Sequence, residues 1–213
     1  MSLTFQKTDL EDLTLSLQTD PLQVEKFNNA FPKYFENYFS AKQKNEIESN
    51  IAQNVLRTFL IDLGFNSEDV GGQKHIDLAI SKDHIVRVIF ECKRENNQNE
   101  MITQKDLNRR ALHEAVLYYL REREKGNLGV QWIVICNFKK FFIFKENIFD
   151  ELFYKDKAIL NNFKSAEENK NNADFYQSLH KILNNKNGFL KGLYVDLNEL
   201  KNDDLLILSL IPI

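Results

Sequence analysis

An α/β fold, a sheet with helices packed on its faces, is the architecture this sequence predicts. Two observations carry it. Hydrophobic spacing switches along the chain between the 3.6-residue period of helices and the two-residue period of strands, in the order helix, strand, strand, helix, strand, strand, then helices. The run VQWIVICN (130–137) is apolar on both faces, as a central strand covered from both sides must be. A chain of 213 residues, 43% hydrophobic and 28% charged, is long enough to bury such a core.

The elements follow in order. Over residues 22–40, Val24, Phe27, Phe31, Tyr34, Phe35 and Tyr38 recur at helical spacing, with Pro32 expected to interrupt them. A stronger helix is predicted over 45–65, with Ile47, Ile51, Val55, Phe59 and Leu63 as its stripe and Gly64 as its stop. SEDVGGQK reads as a turn-rich loop. HIDLAI and HIVRVIFECK are two strands joined by SKD, a hairpin. TQKDLNRRALHEAVLYYLRERE is a long helix, N-capped by Thr103 with Asp106 three residues on. KKFFIFK is a strand returning from a turn at Asn137. Beyond residue 146 the pattern predicts helices, broken by the loop KSAEENKNNA. The resulting division is an N-terminal helical segment (1–44), a core (45–150) and a C-terminal helical or connecting segment (151–213).

The net charge of −3 gives no global sign of nucleic acid binding, so such contacts would need a local patch. Cys92 and Cys136, the two cysteines, sit inside apolar runs and read as buried free thiols in a reducing cytoplasm. The N-terminus has acids where a secretory leader needs bases. LLILSLIPI is too short to span a bilayer. No membrane association is expected. An apolar end of that kind is expected to rest on a partner surface, as in the front part of a longer protein.

The chemistry concentrates in IDLAISKDHIVRVIFECKRE. Alternation puts Glu91 and Lys93 on one face of their strand, with Val86, Val88, Phe90 and Cys92 on the other. The hairpin brings Asp77 toward Glu91. Glu48, at the edge of the preceding helical stripe, can face the same end of the sheet. Two carboxylates and the Cys92 carbonyl suit a hard cation such as Mg²⁺, which would activate water and neutralise phosphate charge. Lys93 could orient or deprotonate that water. An ordinary cross-strand charge ladder uses the same residue types. The strongly apolar opposite face, the matched acid on the partner strand and Glu48 favour a site over a ladder.

This grouping resembles the PD-(D/E)xK nuclease superfamily: a helical acid (Glu48), an acid opening one strand (Asp77) and acid-x-Lys on the next (Glu91, Lys93), with Ile76 where the motif name has Pro. VIFECKRENNQNEMITQKDLNRRALHEAVLYYLRE followed by IVICNFKKFFIF looks more specifically like the N-terminal nuclease region of type IIG restriction–modification enzymes. That resemblance implies a restriction-endonuclease-like mixed sheet with extra terminal helices. It also implies Mg²⁺-dependent cleavage of double-stranded DNA by Asp77, Glu91 and Lys93, and a methyltransferase and target-recognition region as partners, in the same polypeptide or separate. No glycine-rich cofactor loop is present, so methylation is not expected of this chain. Gln104 and Asn108 could touch phosphate or metal-bound water. Lys105, Arg109, Arg110 and Arg94 could form a phosphate-binding rim. His113, Tyr118, Tyr119 and Trp132 read as packing, and Lys139 and Lys140 as turn residues. A non-catalytic DNA-binding or scaffold module and a repair-type nuclease remain the alternative functions.

Overall fold

A computed structural model describes residues 3–8, 21–73 and 75–199. A seven-stranded mixed sheet runs in the order β1-β7-β6-β5-β4-β3-β2. Its strands are β1 (Thr4–Lys7), β2 (Val70–Gln73), β3 (Ile76–Lys82), β4 (Ile85–Cys92), β5 (Trp132–Cys136), β6 (Lys140–Lys145) and β7 (Phe189–Asp196). β5 holds the middle place and every one of its residues is buried. β4 and β5 are parallel, joined through helix α3 (Arg110–Glu124), and β1 and β7 are the other parallel pair.

Helix α1 (Pro21–Gln43) and helix α2 cover one face. α2 runs continuously through Glu48–Ile51, a π-helical turn Ala52–Leu56 and Arg57–Asp62. Phe27, Ala30, Tyr34, Tyr38 and Ala41, at three- and four-residue spacing, pack with Val88, Phe90, Cys92, Val134 and Cys136. The other face carries α3, a short helix α4 (Glu146–Phe149, continued by a π-turn Asp150–Tyr154), α5 (Lys157–Glu168) and α6 (Asn172–Asn184). Ala111, Ala115, Phe149, Phe163 and Leu179 pack there with Ile89, Ile133 and Ile135.

The hairpin turn Asp83–His84 has both residues at positive φ, 54° and 63°, the twist that suits two-residue hairpins. Cys92 and Cys136 are buried and free, with sulfurs 3.7 Å apart.

Several sequence expectations change. Pro32 does not interrupt α1: it sits on the exposed side, where water can serve the carbonyl left without a donor. Ile47 lies outside the stripe, as the extended residue before α2, and is 57% exposed. The long helix starts at Arg110, not after Thr103. Thr103 and Asp106 do bond, with the Asp106 N–H donating to Thr103 Oγ1 at 3.1 Å, but they close a separate turn. β1 captures the segment instead: Phe5 N–H donates to Gln104 O (2.9 Å) and Leu107 N–H to Leu3 O (3.3 Å). Tertiary bonds thus take groups a helix would have used internally. The loop expected over KSAEENKNNA shrinks, because α5 runs to Glu168 and Asn171 caps α6 through the Ala173 N–H. The C-terminal segment is not all helical: β7 adds a strand, and β1 adds one to the N-terminal segment. LLILSLIPI lies outside the described residues. Among the described residues no helix is long and apolar enough to cross a membrane.

Candidate active site

Strand register builds the site. Leu78 pairs with Phe90, which sets Asp77 opposite Glu91 on the sheet face that α3 covers. Asp77 Oδ2 accepts the Cys92 N–H at 2.8 Å. Lys93 follows β4 directly, its N–H donating to Cys136 O at 2.9 Å, so backbone bonds to β5 fix where its side chain starts. Its ammonium is bonded to Glu91 Oε1 and, at 2.6 Å, to Glu114 Oε2. Glu48, the first residue of α2, accepts the Arg94 N–H at 3.0 Å. All four acid and lysine positions read from the sequence therefore meet at one end of β3 and β4.

Two contributors were not legible. Glu114, on α3, holds Lys93 with one oxygen and Arg110 Nε with the other at 2.7 Å, and the Arg110 guanidinium lies 3.6 Å from the Tyr176 ring centre. Gln53, in the π-turn of α2, donates to Asp77 O at 2.6 Å and accepts the Gly72 N–H at 3.3 Å. A Cβ at Gly72 would lie 2.6 Å from Gln53 Nε2, so a larger residue there would push the Gln53 amide aside. Gln53 thereby ties β2 and β3 together beside Asp77. Widened turns of this kind recur at functional sites, but their position depends on packing that a hydrophobic stripe does not record.

The electrostatics are those of crowded carboxylates. Burial pushes the Glu91 carboxyl well up; Lys93 opposes this, and Asp77 and Glu114 reinforce it. Burial likewise raises Asp77, with the Cys92 N–H and Lys93 opposing. For Glu114 burial is outweighed by Lys93 and Arg110, and its carboxyl is lowered. Burial alone would depress Lys93, but Glu91 and Glu114 hold it above its ordinary value as an ammonium. Glu91 Oε2 is buried and has no hydrogen-bond partner. A buried carboxylate oxygen left without a donor is a place where a cation fits. Among the described residues no three His, Cys, Asp or Glu side chains gather closely enough to hold an ion alone. The protein's share would be Asp77, Glu91 and the Cys92 carbonyl, with water and phosphate oxygens completing a hard cation's shell.

The expected DNA-facing residues divide. Lys105 and Arg94 are exposed, and Arg94 Nε lies 4.0 Å from Glu48. Gln104 is exposed while its carbonyl serves β1. Arg109 pairs with Asp106 at 2.7 Å. Arg110 turns inward to Glu114. Asn108 is placed elsewhere, and the expectation for it is corrected. It is buried, its amide donates to His180 O (3.0 Å) and Asn184 Oδ1 (2.8 Å), and its oxygen meets His113 Nε2 at 2.7 Å. Both hydrogens of its amide are used, so that side chain has no donor left for phosphate. Burial, with His180 and Arg110 nearby, pushes His113 down to about 4, so the ring is neutral and can serve this bond.

Comparison with known families bears on the chain as a whole. A model described as a domain of unknown function (DUF7149) matches residues 6–206. The chain belongs to that family. No curated protein and no solved structure matches it.

Proposed function

We propose that this protein is a Mg²⁺-dependent endonuclease acting on duplex DNA. The observation that carries the reading is the convergence of Asp77, Glu91 and Lys93 at the end of β3 and β4, with Glu91 Oε2 buried and unpartnered. Bound there, the cation would lower the pKa of a water and offset charge on the scissile phosphate. The chain's residues supply the rest. Asp77, pinned by the Cys92 N–H, and Glu91, opposite it, present oxygens at fixed spacing. Lys93, kept as an ammonium by Glu91 and Glu114, contributes positive charge beside the reacting phosphate and orients water by donating to it. A general-base role for Lys93 does not suit a lysine whose proton is held this firmly. Glu48 fixes the Arg94 backbone at the rim of the site. The type IIG affiliation, with a methyltransferase and recognition region as partners, is part of the proposal and is supported by the sequence resemblance.

The test is supercoiled plasmid incubated with purified protein in Mg²⁺ and in chelator. Nicking or linearisation is expected only with Mg²⁺, and not with Asp77→Asn. Cleavage that survives Asp77→Asn removes the assignment.

A further inference from the structure

Three residues downstream of Cys92, Glu95 occupies a cluster that the nuclease reading does not use. Its Oε2 accepts Lys42 Nζ at 2.7 Å and Tyr38 OH at 3.1 Å, and its Oε1 accepts Lys139 Nζ at 3.0 Å. The three donors come from two places: Tyr38 and Lys42 from the end of α1, and Lys139 from the β5–β6 turn. Lys139 is only 12% exposed, its ammonium 5.4 Å from the Phe39 ring centre and 5.9 Å from that of Tyr38. Beside the cluster lies a cavity of about 130 Å³ lined by Tyr38, Lys42, Asn45, Glu46, Arg94 and Asn96 as well as Glu95. Glu95 itself sits in the turn Arg94–Asn97, closed by Asn97 N–H to Arg94 O at 2.9 Å, on the irregular chain between β4 and α3. Two donors belong to α1, the third to the tight turn between two core strands, and the acceptor to a loop.

A carboxylate and a phosphodiester have the same recognition chemistry: one negative charge spread over two accepting oxygens. We infer that Tyr38, Lys42 and Lys139 form a subsite for a backbone phosphate of duplex DNA, filled in the free protein by the protein's own Glu95. A phosphate arriving there displaces Glu95 into solvent and leaves the three donors satisfied. The subsite lies two residues along the chain from Lys93, at the end of the sheet where β4 and β5 finish. It thus extends the nuclease reading to how the duplex is held, and it rests on that reading only for its choice of DNA.

A plain clasp that orders the loop would use the same contacts, so the test asks for opposite signs. A fluorescent 20-base-pair duplex is titrated by anisotropy in chelator, where no cleavage can occur. The subsite predicts that Glu95→Gln tightens binding about fivefold or more. It predicts that Lys139→Ala weakens binding by a similar factor and lowers the slope of log K against log salt by about 1. Lys42→Ala, at a half-exposed position, repeats the second measurement without disturbing the core. Asp83→Asn, in the hairpin turn at the far end of β3 and β4, makes the same net charge change and is expected to stay within twofold of wild type. The inference is overturned if Glu95→Gln and Lys139→Ala move binding the same way, if Asp83→Asn tightens it as much as Glu95→Gln, or if neither wild type nor Glu95→Gln binds the duplex. Opposite signs without plasmid cleavage in Mg²⁺ would keep the subsite and remove the nuclease. Cleavage with no effect of Glu95→Gln on binding would do the reverse.

Discussion

Two lysine–glutamate clusters lie within three residues of each other in sequence, and they behave in opposite ways. Around Lys93, carboxylates outnumber cations: Glu91 and Glu114 share one ammonium, with Asp77 opposite, deep in the protein. Around Glu95, cations outnumber carboxylates: one acid takes two lysines and a tyrosine near the surface. The same residue type therefore shifts both ways. Burial lifts Glu91 well above its ordinary range, whereas for Glu95 burial is overcome by Lys42 and Lys139, which bring it down to about 2. The first arrangement is short of positive charge and can accept a cation. The second has spare donors and can accept an anion.

The strongest way to break this contrast is to remove the shared ammonium. Lys93→Met leaves Glu91 buried without its cation and Glu114 with Arg110 alone. Plasmid cleavage is expected to fall by about 10²–10³-fold or more. The fold should lose about 3 kcal/mol, roughly 6–12 °C in melting temperature for a chain of this size. Adding Glu114→Gln should restore part of the stability and none of the cleavage. A double variant as unstable as the single one would contradict the shared-ammonium account.

Next in size is the response to Mg²⁺. At ten times its dissociation constant the ion should stabilise the wild type by about 1.4 kcal/mol, roughly 3–6 °C. Asp77→Asn should lose most of that response, and should melt higher than wild type in chelator because one of two facing carboxylates becomes neutral. Melting curves in chelator, Mg²⁺ and ionic-strength-matched NaCl check both. Equal Mg²⁺ responses would rule out Asp77 as a ligand.

The pH profiles should have opposite slopes. Burial makes the Glu91 proton harder to remove in the folded protein than in the unfolded chain, so its contribution to stability falls as pH rises above its ordinary value of 4.5. Glu91→Gln should flatten that fall in chelator. Glu95 is ionised when folded down to about 2, so its contribution is complete above 4.5 and is lost as pH drops from 4.5 toward 2. Melting temperature against pH for Glu91→Gln and Glu95→Gln, each set against wild type, shows both slopes. The smallest effect belongs to Glu95→Gln at neutral pH. Its partly exposed pairs are screened by water, so a loss of about 1 kcal/mol or less is expected, shrinking in high salt.

Legibility from sequence followed the range of the interactions. Asp77, Glu91 and Lys93 could be placed because strand alternation and a short hairpin connection are local rules, although the turn falls at Asp83–His84 and not across SKD, with Ser81 and Lys82 still in β3. Glu114 could not. The sequence says that it lies on a helix, but how far α3 turns toward Glu91 is set by packing of Ala111 and Ala115 against the sheet. Lys139 read as a turn lysine, because its partner lies 44 residues away in sequence. β1 and β2 span four residues each, too short for a period to register. The beginning of α3 departs from its sequence pattern for a related reason: intrinsic capping at Thr103 yields to bonds from a strand about a hundred residues earlier.

The pairing of β1 with β7 also sets an order of assembly. Thr4 bonds to Gly188 across 184 residues, so β1 waits until β7 has been made before it can take its place in the sheet. Until Phe189 and its successors emerge, the β6 side facing β7 has no neighbour, and Leu3 and Phe5 cannot meet their places beside Phe142 and Phe144. Residues 104–107 lack their β1 partners for the same interval, so a nascent chain is free to wind them into α3 and must unwind them when β1 docks. The long-range closure is slow to form. The approach to Arg110 and Glu114 is thus completed only after β7 is in place.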